Sequence, residues 1–386
     1  MLAPDHIRLI PPNTTRMVFQ APILIHEVLP SEIMAIIFEE HARLEWFAPM
    51  IGARVCRLWR QIILNTPRAW SYLEIGCCKG LRGRISPWLD RSRTAPLHIR
   101  ADQSLTPRDD PEARELCELL HEYHTRIASL RILGGSFSFF HERDFPSMQH
   151  LEVVQPLISP LPSSFGHMPK LRSLCLDIFT GSLESLAPLK VLVLSFCRIT
   201  SLSQHSPSLV SLMLDSVKLG GPISGSVDFP SLAYLSLEDM SDLKPKINAP
   251  RLVTYHESSA NTHKSFSAPL HSLVEYGIWA QDGYDIDLKE WHNSFPNISR
   301  LSIRADPPVL ISILAILSIH LDLLPALQMI SVGHPSNPDA RFTRKEQQMM
   351  EDLVRVRSEA CHLDVALYFE PEKPLHIPLF FAIVSH

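Results

Sequence analysis

The sequence predicts an α/β chain: a small all-α helical module, then an irregular solenoid of short parallel strands joined by helices and turns. Three observations predict it. Two amphipathic stretches with helical periodicity lie near the N-terminus, a unit L-x-x-L-x-L recurs after proline through the middle, and most of its recurrences fall 18–23 residues apart.

In the helical module, Leu29, Ile33, Ile36 and Ile37 stand at i, i+4, i+7 and i+8, which predicts a helix over 29–41 with one apolar face. Pro30 suits a first turn, where its missing N–H costs nothing, and Glu32 complements the helix dipole. Val55, Leu58, Trp59, Ile62 and Ile63 repeat at i, i+3, i+4, i+7 and i+8, which predicts a second helix over 50–64, stopped by Pro67. A unit of about 45 residues has a thin core and gains stability by docking.

These residues resemble an F-box, which opens on LPxEI and continues some twenty residues later with a VCRxWR helix and a final aromatic. Here the segments are Leu29-Pro30-Ser31-Glu32-Ile33, then Val55-Cys56-Arg57-Leu58-Trp59-Arg60, then Trp70. The resemblance covers 25–72 and implies docking to a Skp-type adaptor. Carried over by motif, Leu29, Pro30, Ile33, Ile36, Val55, Cys56 and Trp59 contact the adaptor or directly support that contact. Ile37, Leu58 and Ile62 are assigned to the module's own core, because each helix needs an inward stripe.

The repeating unit appears as PKLRSLCL (169–176), PLKVLVL (188–194), PSLVSLML (207–214) and PSLAYLSL (230–237), with weaker copies at 146–153, 296–303 and 325–332. PRLVTYHE (250–257) and PLHSLVEY (269–276) keep the opening and lose the ending. The first apolar positions read Met148, Leu171, Leu189, Leu209, Leu232, Leu252, Leu270, Ile298 and Leu327. In a strand the faces alternate, so the last two leucines of each unit point inward and stacked units share one core. At roughly 1.5–3 kcal/mol per buried Leu, three per unit hold the stack against chain ordering. Proline presets the extended approach to each strand. The pattern is similar to leucine-rich repeats, except that the usual Asn or Cys after the last leucine occurs only as Cys197, so the repeats are irregular.

The resulting organisation is an N-terminal extension (1–24), the F-box-like module (25–72), a transition with degenerate first repeats (73–140), the repeats (141–335) and a C-terminal cap (336–386). In the transition, Leu73-Glu74-Ile75, Leu97-His98-Ile99 and Ile127 to Ile132 read as strands, Glu112 to Tyr123 as a helix, and 104–112 as a polar loop. Leu288, Trp291 and Phe295 space as a helix, and Val309 to Leu321 is apolar nearly all round, a buried helix. In the cap, Thr343 with Glu346 forms a capping box opening a helix to about Ala360, followed by a strand through Leu363, Val365 and Leu367. The pattern leaves open whether the apolar final PLHIPLFFAIVSH is buried or exposed.

Composition excludes several classes. Of 386 residues, 45% are apolar and 20% charged, which is globular, and a net charge of −5 gives no basic field for nucleic acid or an anionic membrane. No uninterrupted apolar run reads as a signal peptide or membrane span. Seven scattered cysteines, including adjacent Cys77 and Cys78, form no CxxC pair and read as a reduced, cytoplasmic or nuclear protein. No HExxH, GxSxG, Walker A or GxGxxG motif occurs, so no enzyme, metal or cofactor is expected.

Target binding is expected on the outward strand columns: Ser173, Val191, Ser211, Tyr234 and Thr254; then Cys175, Val193, Met213, Ser236 and His256; then Asp177, Ser195, Asp215, Glu238 and Ser258. Cys175, Asp177, Val193, Met213, Asp215, Tyr234, Ser236 and Glu238 are the candidate contacts, Tyr234 and Met213 as apolar anchors and the three acids favouring a basic target. Together the two resemblances imply a non-catalytic substrate receptor of a Skp–cullin–F-box ubiquitin ligase, partnered by the adaptor, the cullin–RING ligase behind it and a protein target. The alternative is an F-box scaffold acting without ubiquitin transfer.

Overall fold

The computed structural model describes residues 29–76, 81–101, 111–133, 144–154, 167–219, 226–240, 246–258, 266, 270–279, 292–333, 342–361 and 365–369, with only the backbone at 111–113, 133 and 369. The expected N-terminal extension, Cys77, Cys78, Leu288, Trp291, Leu363 and apolar tail lie outside these residues, as does 104–110 of the expected polar loop; its last two residues, Pro111 and Glu112, are instead helical. The chain divides into two compact units between Trp70 and Ser71.

The first unit, as described, contains helices α1 (Ser31–Leu44), α2 (Ala48–Gly52) and α3 (Arg57–Leu64), then a 3₁₀ turn at Pro67–Trp70. α1 starts where the Pro30 carbonyl accepts from the Met34 N–H at 3.1 Å. Its inward stripe is Met34, Phe38 and Ala42, again one helical face. With Ala48, Pro49, Ile62, Ile63, Ala69 and Trp70 these are the buried apolar side chains among the unit's described residues. The Trp70 Nε1–H donates to the Ile63 carbonyl at 2.9 Å, fixing the turn to α3. The expected helix over 50–64 is interrupted after Gly52 and restarts at Arg57. A Cβ on Gly52 would lie 2.6 Å from Ile63 Cδ1, so glycine lets α2 approach α3 closely. Cys56 is extended, and its sulfur accepts from the Trp59 N–H at 3.4 Å, a helix N-cap.

The second unit is α/β. Thirteen parallel strands form one sheet whose order follows the chain: β1 (Tyr72–Ile75), β2 (Leu97–Ala101), β3 (Ile127–Leu133), β4 (His150–Val154), β5 (Ser173–Asp177), β7 (Val191–Ser195), β9 (Ser211–Asp215), β12 (Tyr234–Glu238), β14 (Thr254–Glu257), β15 (Glu275–Trp279), β16 (Arg300–Arg304), β17 (Met329–Gly333) and β18 (Ala366–Phe369). Two small parallel sheets accompany it, β6 (Thr180–Gly181), β8 (Arg198–Ile199) and β10 (Lys218–Leu219), and β11 (Ser226–Asp228) with β13 (Lys246–Asn248).

Strand alternation sets the core. Leu174 and Leu176, Leu192 and Leu194, Leu212 and Leu214, and Leu235 and Leu237 are buried on one face of adjacent strands. The first apolar position of each unit is buried beside them, from Met148 to Leu327. One register differs from the sequence reading. Pairing of Thr254 with Glu275 aligns Leu252 with Leu273, not Leu270, so this repeat is intact: Leu273, Tyr276 and Ile278 are its inward residues. Pro269-Leu270 mimics the opening three residues early. The preceding strand carries Tyr255 and Glu257 inward; Glu257 is 1% exposed and accepts from the hydroxyls of Tyr255, at 2.7 Å, and Tyr276.

Four of the strands end alike. Ile178, Phe196, Ser216 and Asp239 follow β5, β7, β9 and β12 at φ 46–55°. The first three N–H groups reach the next strand's last carbonyl, Ile178 to Ser195 and Phe196 to Asp215 at 2.8 Å and Ser216 to Glu238 at 2.9 Å. The left-handed residue turns the chain out while keeping one more ladder bond, at a steric cost greatest for β-branched Ile178. Between β8 and β9, His205 is buried; its Nδ1 accepts from the Leu189 N–H at 3.4 Å and its Nε2–H donates to the Leu183 carbonyl at 3.0 Å. Burial holds its pKa below the usual histidine value, consistent with a neutral ring.

Helices α4 (Leu81–Ser92), α5 (Pro111–Tyr123), α6 (Pro307–Ile319) and α7 (Arg344–Cys361) connect the outer strands. α4 forms with Gly83 and Pro87 inside it; burial of Leu81, Ile85, Trp88 and Leu89 outweighs their cost. α7 opens on the expected capping box, Thr343 N–H donating to Glu346 Oε2 at 2.7 Å and Glu346 N–H to Thr343 Oγ1 at 3.3 Å. Arg357 of α7 is buried and donates to the carbonyls of Leu317, of Leu323 at 2.6 Å and of Leu324 at 2.9 Å, satisfying one carbonyl in the last turn of α6 and two in the loop that follows it. Among the described residues no helix is long and apolar enough to cross a membrane.

Candidate functional site

The first unit leaves much of its apolar surface uncovered. Ile33, Ile36 and Ile37 of α1 are exposed, Ile36 by 56%, because the helix carries two apolar stripes and only Met34, Phe38 and Ala42 turn inward. Val55, in the turn before α3, is 59% exposed, and Leu58 is also exposed. Leu44, Phe47, Met50 and Ile51 add to this. Isolated exposed aliphatics are ordinary, but this many on one small unit make it the candidate interaction surface.

The motif residues therefore fall into two groups. Pro30, Ile33, Ile36 and Val55 present accessible surface, while Leu29, Cys56 and Trp59 are half-buried and hold the scaffold. Cys56 caps α3, and the Trp59 ring meets Phe38 edge-on at 5.1 Å and 62°. Ile37 and Leu58, assigned to the core from sequence, are exposed; Ile62 is buried as expected. The error is physical: the inward stripe of α1 is one residue along from the one with more isoleucines.

On the sheet, pairing aligns the outward columns as read. Ser173, Val191, Ser211, Tyr234 and Thr254 form one row, Cys175, Val193, Met213, Ser236 and His256 the next, and Asp177, Ser195, Asp215 and Glu238 the third, without the expected Ser258 because β14 ends at Glu257. The candidates are thus on one face, but their accessibility differs from that of open contact positions. Cys175, Val193 and Ser236 are buried, at 4%, 8% and 3% exposure, so they offer a partner little surface. Cys175, Val191 and Val193 instead form an apolar cluster with Met213 packed against it. Asp177, Met213, Asp215, Tyr234 and Glu238 remain half-buried.

The acids at the strand ends sit close enough to feel one another. Burial, reinforced by Asp215, pushes the Glu238 carboxyl up to about 7. Burial also raises Asp215, with Asp239 and Asp177 adding to it. Further along, His256 lies 3.6 Å from Glu275 and holds its carboxyl below the usual value, and the Arg304 guanidinium stands 5.2 Å from the centre of the Trp279 ring. On the same face, in the row of Cys175, Arg131 pairs with buried Glu152 at 3.3 Å. Buried thiols are deactivated, Cys197 being pushed up to about 12, chiefly by burial. Cys197 Sγ accepts from the Phe179 N–H at 3.3 Å, a structural use at the position where the repeat pattern calls for Asn or Cys.

Sequence reading missed the exposed Ile178 and Phe196 and the edge residues immediately before the strands, because their adjacency exists only through strand pairing. Among the described residues no group of three or more His, Cys, Asp or Glu side chains is placed to hold a metal. No protein-family model matches the chain, and no curated protein matches it significantly.

Proposed function

We propose that this chain is a non-catalytic substrate-recognition subunit of a Skp–cullin–F-box ubiquitin ligase, its helical unit docking a Skp-type adaptor and its sheet, read as an irregular leucine-rich-repeat solenoid, holding a protein target. The observation that carries the reading is the uncovered apolar surface around Ile33, Ile36 and Val55, residues of the two F-box-like segments. A unit this small does not keep such side chains in water without a partner that covers them. Docking of the adaptor would bury them, and the recruited ligase would then act by proximity, raising the effective concentration of target lysines near a charged ubiquitin carrier. No side chain of this protein then performs chemistry.

Co-expression with a Skp-type adaptor tests the first half. Wild-type protein should co-purify stoichiometrically, and Ile36→Glu with Val55→Glu should abolish this while the fold persists. Adding cullin–RING components then separates a ligase subunit from a scaffold: a ligase subunit co-purifies with the cullin through the adaptor, whereas a scaffold stops at the adaptor.

A further inference from the structure

The leading edge of the sheet, immediately before the strands, carries a second surface of its own. A groove of about 300 Å³ lies at the start of β4, β5 and β7, floored by Leu171 and Ala187 and rimmed by Lys170, Arg172 and Lys190. All three cations are exposed, no carboxylate lines the groove, and among the described residues none of the three forms an ion pair. In a chain of net charge −5, three unopposed cations around one groove are a concentrated local field.

The same edge continues as an apolar ridge. Arg172 and Lys190 occupy the residue just before their strands, and the equivalent residues of the next four strands are Val210, Ala233, Val253 and Val274. Their backbones are joined in sequence: Lys190 N–H to Arg172 O and Val210 N–H to Lys190 O at 2.8 Å, then Ala233 to Val210, Val253 to Ala233 and Val274 to Val253 at 2.9 Å. Equivalent positions in parallel strands repeat about every 4.8 Å, so the run from Arg172 to Val274 spans roughly 24 Å. Val210, Val253 and Val274 are exposed, at 38%, 43% and 40%. Three valines in one column, with only Ala233 between two of them, are a continuous apolar strip and not scattered surface residues.

We propose that this edge docks a segment of the target protein in which a run of carboxylates adjoins an apolar run. The carboxylates occupy the groove between Lys170, Arg172 and Lys190, and the apolar side chains lie along Val210, Val253 and Val274. Charge complementarity fixes the polarity of the segment, since only one direction pairs its acids with the basic end. At about 3.3 Å per extended residue, the whole run from Arg172 to Val274 accommodates some seven residues. The inference rests on reading the sheet as the part that holds the target, and names the chemistry of that target.

The test is a selection of phage-displayed random 12-residue peptides on the immobilised full-length protein, with recovered peptides measured by fluorescence anisotropy. The expected peptides carry adjacent acidic and apolar runs. Their affinity should fall at least tenfold for Arg172→Glu with Lys190→Glu, and severalfold for the uncharged Val253→Ser with Val274→Ser, while exchange of the two runs within a peptide weakens it. Recovery of no peptide of this pattern, or equal affinity for the charge-reversed protein, overturns the proposal, as does competition by a single-stranded oligonucleotide at the same residues. Skp-type adaptor binding is measured on every variant and should not change. Loss of adaptor binding in wild type would instead defeat the ligase reading and leave the peptide result standing by itself.

Discussion

Arg357 ties α7 to the end of α6, and its replacement by methionine should be among the most damaging single changes outside the leucine core. The side chain is 2% exposed and donates to the carbonyls of Leu317, Leu323 and Leu324. Burial lowers its pKa, the sign that desolvation disfavours the cation there. Methionine retains the volume and removes that cost, but strands three buried acceptors at about 1–3 kcal/mol each. Set against the relief of desolvation, the net loss is about 3–5 kcal/mol. Lysine keeps the charge without the planar fork, reaches fewer of the carbonyls and should cost about 2 kcal/mol. Urea unfolding supplies the stabilities, and hydrogen exchange should show the amides of 310–319 losing protection first. A methionine variant within about 1 kcal/mol of wild type, or unchanged exchange in α6, would refute this reasoning.

Three further outcomes follow from buried polar groups. The Glu238 carboxyl is raised to about 7 from an ordinary 4.5, so between these values the folded state keeps a proton that the unfolded state has lost. Stability contributed at this site therefore falls as pH rises through that window; Glu238→Gln should gain about 1–3 kcal/mol at pH 8 and nothing near pH 4, read from melting at both pH values. Glu257→Ala strands the hydroxyls of Tyr255 and Tyr276 and should cost about 3 kcal/mol, against about 1 kcal/mol for Glu257→Gln, by denaturant titration. Cys56→Ser keeps an acceptor for the Trp59 N–H, whereas Cys56→Ala should lower the melting stability of the helical unit by about 0.5–1 kcal/mol.

The parts of the fold legible in the sequence are those set by strand alternation. Leu174 and Leu176, or Leu235 and Leu237, announce an inward face, and the recurrence of their units announces that neighbours pair in register. The capping box at Thr343 was legible because its two residues satisfy each other locally. What failed depended on tertiary choices. Both stripes of α1 are apolar, and only packing against Ile63 and Trp70 decides that Met34 and Phe38 turn inward while Ile33 and Ile36 do not. Pro87 is tolerated in α4 because four large side chains are buried around it. The edge strip at Val210, Val253 and Val274 is invisible along the chain, where each valine looks like a lone surface residue. Of the candidate target contacts, the rows were legible and the burial of Cys175, Val193 and Ser236 was not, since neighbours on both sides close over small side chains.

The claim that most needs testing is that the apolar surface of the helical unit exists to be covered by a Skp-type adaptor. Size-exclusion chromatography with light scattering, on purified full-length protein mixed with purified adaptor, measures it directly. The account predicts a one-to-one complex with wild type and none with Ile36→Glu, Val55→Glu protein of unchanged circular dichroism. Two separate peaks with folded wild-type protein, or a complex that survives both substitutions, would contradict it.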